Sequence, residues 1–152
     1  RYDASTNEWE EEAVAPMPTA RTRLGTAVLD GKLYVVGGME GGAPSSSVER
    51  YDLTTKSWES VAPMATARAS RAMAVLEGRL YTVGGHNNDG GHTGYLTSVE
   101  RYDPAANAWE AVAPMATARC NFAMAVLEGK LYAVGGYDGD YFSSVERYDP
   151  AA

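Results

Sequence analysis

The stretch Trp58 to Arg68, WESVAPMATAR, decides the fold because it is not unique. Trp9 stands 49 residues before Trp58 and Trp109 stands 51 after it. Each tryptophan is followed by Ala-Pro-Met, at Ala15 to Met17, Ala62 to Met64 and Ala113 to Met115, and then by Thr-Ala-Arg. Beyond each arginine runs an apolar stretch ending in Ala-Val-Leu, an acidic-Gly pair, a second apolar stretch ending in Gly-Gly, a variable loop and Val-Glu-Arg-Tyr-Asp. Self-similarity at a period near 50 residues marks a repeat architecture whose units bury their faces on one another.

Within a repeat the punctuation predicts four strands. Asp30-Gly31, Glu77-Gly78 and Glu128-Gly129 sit between apolar runs, where a two-residue hairpin with positive φ folds one strand onto the next. Asp103-Pro104 and Asp149-Pro150 mark a second turn. No window carries a helical period, so the unit is an all-β, four-stranded antiparallel meander. Its first strand is built from small residues, as in Gly25-Thr26-Ala27 and Ala72-Met73-Ala74, while the later strands carry Tyr51, Trp58, Tyr102 and Trp109. Such a unit is a wedge, and wedges pack radially into a propeller. Each rim tryptophan is expected to remove about 150–250 Å² from water, and its loss to cost about 3–5 kcal/mol.

Residues 1–18 read as the end of one repeat, with its outer strand around Trp9. Residues 19–65 and 66–116 read as full repeats, and 117–152 as the first three strands of another, so about three blades are present. The chain of 152 residues opens in mid-motif at Arg1-Tyr2-Asp3 with no initiator methionine, and the expectation is a piece of a longer protein. The alternative is a homodimer, in which the Trp9 strand of one copy completes the blade of Leu131 in the other to give six blades.

Composition narrows the partners. A formal net charge of −7 and the lack of a basic stripe disfavour nucleic acid and anionic membranes. No apolar segment approaches spanning length. Cys120 is the single cysteine, which rules out an intrachain disulfide framework and fits a reducing, cytoplasmic location.

Gly-Gly, then Val-Glu-Arg-Tyr-Asp, then Trp, at this period, closely resemble kelch repeats, and SVERYDP and WEAVAPM look most like the propellers of Kelch-like proteins. The resemblance covers essentially the whole chain. It implies a kelch β-propeller, usually of six blades, that binds degradation substrates while separate helical domains join a cullin-type ubiquitin ligase. Those helical domains are absent from this sequence. It also implies peptide contacts from arginine, serine or asparagine near the central pore and from an aromatic directly after Gly-Gly. The expected function is therefore a protein-interaction module, and not an enzyme, with an acidic or turn-forming peptide as the ligand. The alternatives are a carbohydrate-acting hydrolase, isomerase or oxidase on the same propeller, or an actin-binding kelch protein.

Strand direction places the start of the first strand, the Gly-Gly ends and the loops after them at one end of each blade, and this is the end that varies between repeats. Variable loops on a rigid frame are the usual seat of binding. The candidate residues are Arg23, Ser70, Arg71, Asn121 and Phe122 at the mouths of the innermost strands. Met39, His86, Tyr137, Tyr141 and Phe142 follow in the loops after Gly-Gly. Arg23 and Tyr137 match the resemblance best, since arginine grips a carboxylate bidentately and aromatics supply area at low entropic cost. Arg21, Arg68 and Arg119 recur in every repeat and read as scaffold, bonding loop carbonyls; Met17, Met64 and Met115 read as packing. The Glu10-Glu11-Glu12 run reads as a solvated outer edge.

Other chemistry fits poorly. His86, Asp89 and His92 share one glycine-rich loop without the spacing of a metal site. Tyr137-Asp138-Gly139-Asp140 lacks the ligand run and terminal glutamate of a calcium loop. Gly-Gly lacks the lysine and helix of a phosphate loop, and Cys120 has no assignable base. Copper oxidases on kelch-like propellers combine tyrosine, cysteine and histidine, but both histidines here belong to one loop. No metal and no cofactor is expected.

Overall fold

Each acidic-Gly pair turns the chain back on itself. Asp30 and Gly31 have φ of 50° and 70°, and Glu77-Gly78 and Glu128-Gly129 repeat the geometry, the positive-φ pair that matches the twist of a two-residue hairpin. The computed structural model describes residues 1–10, 14–87 and 94–152, and these form strands and no helix. A two-stranded piece, β1 (Tyr2–Asp3) and β2 (Glu8–Trp9), comes first. Two four-stranded sheets follow: β3 (Gly25–Leu29), β4 (Lys32–Glu40), β5 (Ala43–Asp52) and β6 (Ser57–Val61), then β7 (Ala72–Leu76), β8 (Arg79–Val83), β9 (Val99–Asp103) and β10 (Ala108–Val112). The last sheet has three strands, β11 (Ala123–Leu127), β12 (Lys130–Val134) and β13 (Val145–Tyr148). Every pairing is antiparallel between sequence neighbours, which is the meander of a propeller blade. No helix in the described residues is long and apolar enough to cross a membrane.

The blades stack as the size gradient requires. The small first strands β3, β7 and β11 lie side by side toward the axis. A Cβ on Gly25 would stand 2.4 Å from Met73 Sδ of the next blade, so the inner strand has no room for a side chain there. One apolar cluster joins the first two sheets, with Leu29, Tyr34, Val36 and Val48 against Met64, Leu80 and Tyr102. A second joins the next pair, with Leu76, Tyr81, Val83 and Val99 against Leu131, Met124 and Tyr148. The far face of the last sheet is uncovered. Leu127 is 58% exposed, whereas its counterparts Leu29 and Leu76 are 4% and 6% exposed.

Within the chain, β2 is already paired to β1, Tyr2 opposite Trp9 and Asp3 opposite Glu8. Tyr2-Asp3 is the counterpart of Tyr148-Asp149 by motif. In a two-copy ring, β2 could therefore complete β13 of another copy only after leaving β1.

Tryptophan ties blade to blade by a hydrogen bond as well as by area. Trp58 faces Tyr51 across the ladder with ring centroids 5.2 Å apart, and Trp109 faces Tyr102 at 5.1 Å. The Trp58 indole N–H donates to the Ala15 carbonyl and that of Trp109 to Ala62, both at 2.8 Å. The neighbouring blade covers these rings only in part. Trp58 and Trp109 are half-buried, because the outer strand has solvent on its far side.

An ion pair of a buried arginine with a glutamate recurs in each of the three larger sheets. Arg68 Nη2 meets Glu100 Oε1 at 2.8 Å and Arg119 Nη2 meets Glu146 Oε1 at 2.7 Å, while Arg21 Nη2 lies 3.1 Å from Glu49 Oε1. Arg68 Nη1 also donates to the carbonyls of Gly84 and Ser98, each at 3.0 Å, so the scaffold reading of these arginines holds. Burial pulls the Arg68 guanidinium below its ordinary range, with Glu100 opposing that shift. Glu100 in turn accepts the backbone N–H of Ala65 at 2.7 Å and of Thr66 at 3.1 Å, and Glu146 accepts those of Ala116 and Thr117. The first full blade departs from this. Pro18 occupies the place of Ala65 and has no N–H to give. Glu49 Oε2 is left buried without a partner, and the Thr19 hydroxyl donates to Oε1 at 2.7 Å instead.

The Gly-Gly pair is required by the neighbouring blade. Gly38 N–H donates to the Arg68 carbonyl at 3.0 Å and Gly85 N–H to that of Arg119 at 2.9 Å. A Cβ on Gly85, whose φ is 93°, would stand 2.5 Å from the Ala69 carbonyl oxygen.

Three substitutions test this packing. Trp58→Ala should cost about 2–3 kcal/mol, below the range for a fully buried aromatic, and lower Tm accordingly; an unchanged Tm would contradict the role given to the indole. Gly85→Ala should cost about 2–4 kcal/mol, combining positive φ with overpacking against backbone that cannot retreat. Pro18→Ala restores a donor to a buried carboxylate, a gain of about 1–3 kcal/mol, against about 0.4–1 kcal/mol for the freer unfolded chain. The net expectation is a higher Tm in thermal denaturation.

Candidate partner-binding face

The mouths of the three innermost strands share one backbone conformation. Arg23, Ser70 and Asn121 all lie in the left-handed region, with φ of 51°, 52° and 51°. They are linked head to tail: Ser70 N–H donates to the Arg23 carbonyl at 3.1 Å and Asn121 N–H to the Ser70 carbonyl at 2.9 Å. A line of main-chain hydrogen bonds therefore runs from blade to blade around the axis. Because that line uses no side chain, side-chain identity is free to differ at each of the three positions.

Short bridges hold the loops after Gly-Gly against these mouths. Thr22 bridges Met39, Ala69 bridges His86 and Cys120 bridges Tyr137, with paired N–H to carbonyl bonds of 2.7–3.1 Å. The lips above differ. In the first blade β4 and β5 run on as a ribbon to Gly41-Gly42, after a bulge between Val36 and Gly38. This ribbon borders an open hollow of about 560 Å³ lined by Thr22, Arg23, Met39, Gly41 and Gly42 among others. In the second, His86 bridges both Ala69 and Tyr95. Asp89 and His92, which with His86 made up the metal reading, lie outside the described residues, as do Glu11 and Glu12. Among the described residues no group of three His, Cys, Asp or Glu is placed to hold a metal.

The third lip carries an aromatic ladder. Tyr95 from the second blade meets Tyr137 of the third edge to face, with centroids 5.9 Å apart, and Tyr137 meets Tyr141 at 5.3 Å. Tyr141 is 90% exposed. Tyr95 was not singled out from sequence; its signal was an aromatic at the end of the long loop, where the chain turns back toward β9.

The candidate residues separate into two groups. Arg23, Asn121 and Tyr141 are exposed, and Met39, Ser70, His86 and Tyr137 are half-buried, all on this end of the blades. Phe122 and Phe142 serve packing: Phe122 joins the second apolar cluster, and Phe142 lies under the Arg119 guanidinium, 5.3 Å from ring centroid to Cζ. Arg71 is turned away from the face altogether and is only 8% exposed. It occupies the place that Leu24 and Phe122 hold in the other blades, a position directed into the junction between sheets.

Electrostatics draw the face together around Arg23. No ion pair engages its guanidinium among the described residues, and its charge reaches His86 of the second full blade and Cys120 of the third. Burial, and after it Arg23, lowers the His86 pKa, so the imidazole is neutral at pH 7. Burial raises the Cys120 thiol, with Arg23 opposing and Asp138 adding to the rise, so the buried cysteine is protonated and inert as a nucleophile at neutral pH.

Comparison with known proteins fits this architecture. Residues 1–136 match the family model described as the KLHDC2/KLHL20/DRC7 Kelch-repeats domain. The chain is 44% identical over 138 residues, 91% of its length, to the Influenza virus NS1A-binding protein homolog of Mus musculus, and covers 14% of that protein. It is 33% identical over 141 residues, 90% of its length, to Kelch-like protein 36 of Bos taurus, covering 22% of it. Kelch-like protein 5 of Homo sapiens shares 56% over 41 residues, 27% of this chain and 5% of that protein. The chain thus spans a minor part of the relatives it matches, and with its antiparallel four-stranded blades and its family match over most of its length it belongs to the Kelch-repeat family.

Proposed function

We propose that this propeller segment is a protein-interaction module that takes an acidic or turn-forming peptide of its partner on the face bounded by Arg23, Met39, Ser70, His86, Asn121, Tyr137 and Tyr141. The observation that carries this reading is the exposed guanidinium of Arg23, which is in no ion pair among the described residues, on the same face as a ladder of three tyrosines spanning two blades. An unpaired arginine on a rigid left-handed turn is pre-organised to grip a carboxylate bidentately. The tyrosines supply apolar area with a polar tip and few rotors to freeze. A catalytic reading would call for paired carboxylates or a histidine at the strand mouths, and those mouths carry Arg23, Ser70 and Asn121. Substrate recognition for a cullin-type ubiquitin ligase is the role such a face would serve when joined to helical adaptor domains, and an actin contact would use the same surface.

The test is affinity capture with the full-length protein, followed by titration of an acidic peptide from the captured partner. Arg23→Ala and Tyr137→Ala should each weaken binding by about 30-fold, the effect of losing one hot-spot residue. Arg23→Ala should leave Tm unchanged, since the side chain supports nothing beneath it, and added salt should weaken the parent complex. Capture of the same partners in the same amounts by both variants would overturn the assignment of the face.

A further inference from the structure

We propose that the junction between the first two four-stranded sheets holds one small monovalent anion, of chloride size, on Nε and Nη2 of Arg71. The position is an apolar slot in the neighbouring repeats, filled by Leu24 in the first and by Phe122 in the third. Here it holds a guanidinium more than nine-tenths buried. Arg71 Nη1 donates to the Arg68 carbonyl at 2.6 Å, but Nε and Nη2 have no hydrogen-bond partner. Nη2 lies beside the bare backbone of Gly25, 3.3 Å from where a Cβ there would stand.

Charge at this junction does not balance. Arg21 and Arg68 are each matched to one carboxylate, Glu49 and Glu100. The oxygens of Glu100 are taken by Arg68 and by the N–H groups of Ala65 and Thr66. Three guanidiniums therefore share two carboxylates, and the groups acting on Arg71 are Arg68 and Arg21, both positive. Burial first, and these two cations after it, pull the Arg71 pKa down to about 9, which still leaves the group charged at pH 7. A buried charge with two free donors is costly unless a counter-charge accompanies it. The excess is a single positive charge, and the two adjacent N–H groups form a fork. One excess charge selects a monovalent over a divalent anion, and the close burial of the fork favours the smallest, a single atom that accepts from both N–H groups.

The full-length protein provides the test. Melting in sodium chloride against sodium gluconate at matched ionic strength should show a saturable rise in Tm of about 2–4 °C with chloride. Arg71→Leu, which installs the residue of the first repeat, should fold and lose the chloride response; Arg71→Lys, which keeps the charge without the fork, should retain a reduced one. Crystals soaked in sodium bromide should show an anomalous peak within hydrogen-bonding reach of Nε and Nη2. No difference between chloride and gluconate, an equal response in parent and Arg71→Leu, or water alone in that place would overturn the proposal.

Discussion

Everything on the variable face rests on the arginine that closes Thr-Ala-Arg. Arg68 shows why. Its guanidinium enters its own blade, binding Glu100 on β9 and the carbonyls of Gly84 and Ser98, while its own carbonyl accepts Gly38 from the blade before. One residue thus fixes the end of the second strand, the third strand and the contact between blades. The pair adds little net stability, since the desolvation of two charges offsets most of their attraction. Its contribution is geometric: a guanidinium has donors in a fixed plane, and the bonds of Nη1 and Nη2 orient loop and strand together. Repeating it at Arg21 and Arg119 sets the angle from blade to blade.

Rigidity at that level is what allows diversity one layer above. The main-chain bonds linking Arg23, Ser70 and Asn121 hold three strand mouths in one conformation without constraining their side chains. The bridges at Met39, His86 and Tyr137 do the same for the loops. A substitution at these positions alters what the surface presents and leaves the frame in place. Binding faces on repeat proteins depend on this separation, because a contact residue that also supported the fold could not be exchanged without a stability cost.

How much of this was legible in the sequence depends on whether the cause was local. Asp30-Gly31 announced its hairpin because positive φ is a property of two residues. Arg21, Arg68 and Arg119 were legible as scaffold by repetition alone. Gly37-Gly38 was half legible: the bend was evident, but the reason no side chain fits is the carbonyls of Arg68 and Thr22, one of them from another blade. The tryptophans read as rim residues, but how much of each ring is covered was not legible, because the covering atoms belong to another repeat. Arg71 was misplaced for the same kind of reason. Adjacent residues at a strand mouth point opposite ways, and nothing in the local sequence says that Ser70 takes the face while Arg71 takes the junction.

The slot occupied by Leu24, Arg71 and Phe122 shows where the repeat tolerates departure. Phe122 fills it with area and reaches the backbone beneath Gly84, a Cβ on which would stand 3.0 Å from the ring. Arg71 fills it with a long stem and a charge, bonding back to Arg68 and lying under Gly85, a Cβ on which would come within 2.9 Å of its own Cβ. The second glycine faces a Cβ that any residue but glycine would carry here, while Gly84 is set in part by the ring that fills the slot. An aromatic and an arginine have similar length and flat ends, which explains how one backbone accommodates either. They differ in what must come with them: an aromatic completes the apolar cluster by itself, and a guanidinium brings a third positive charge to a junction whose two described carboxylates, Glu49 and Glu100, are paired with Arg21 and Arg68.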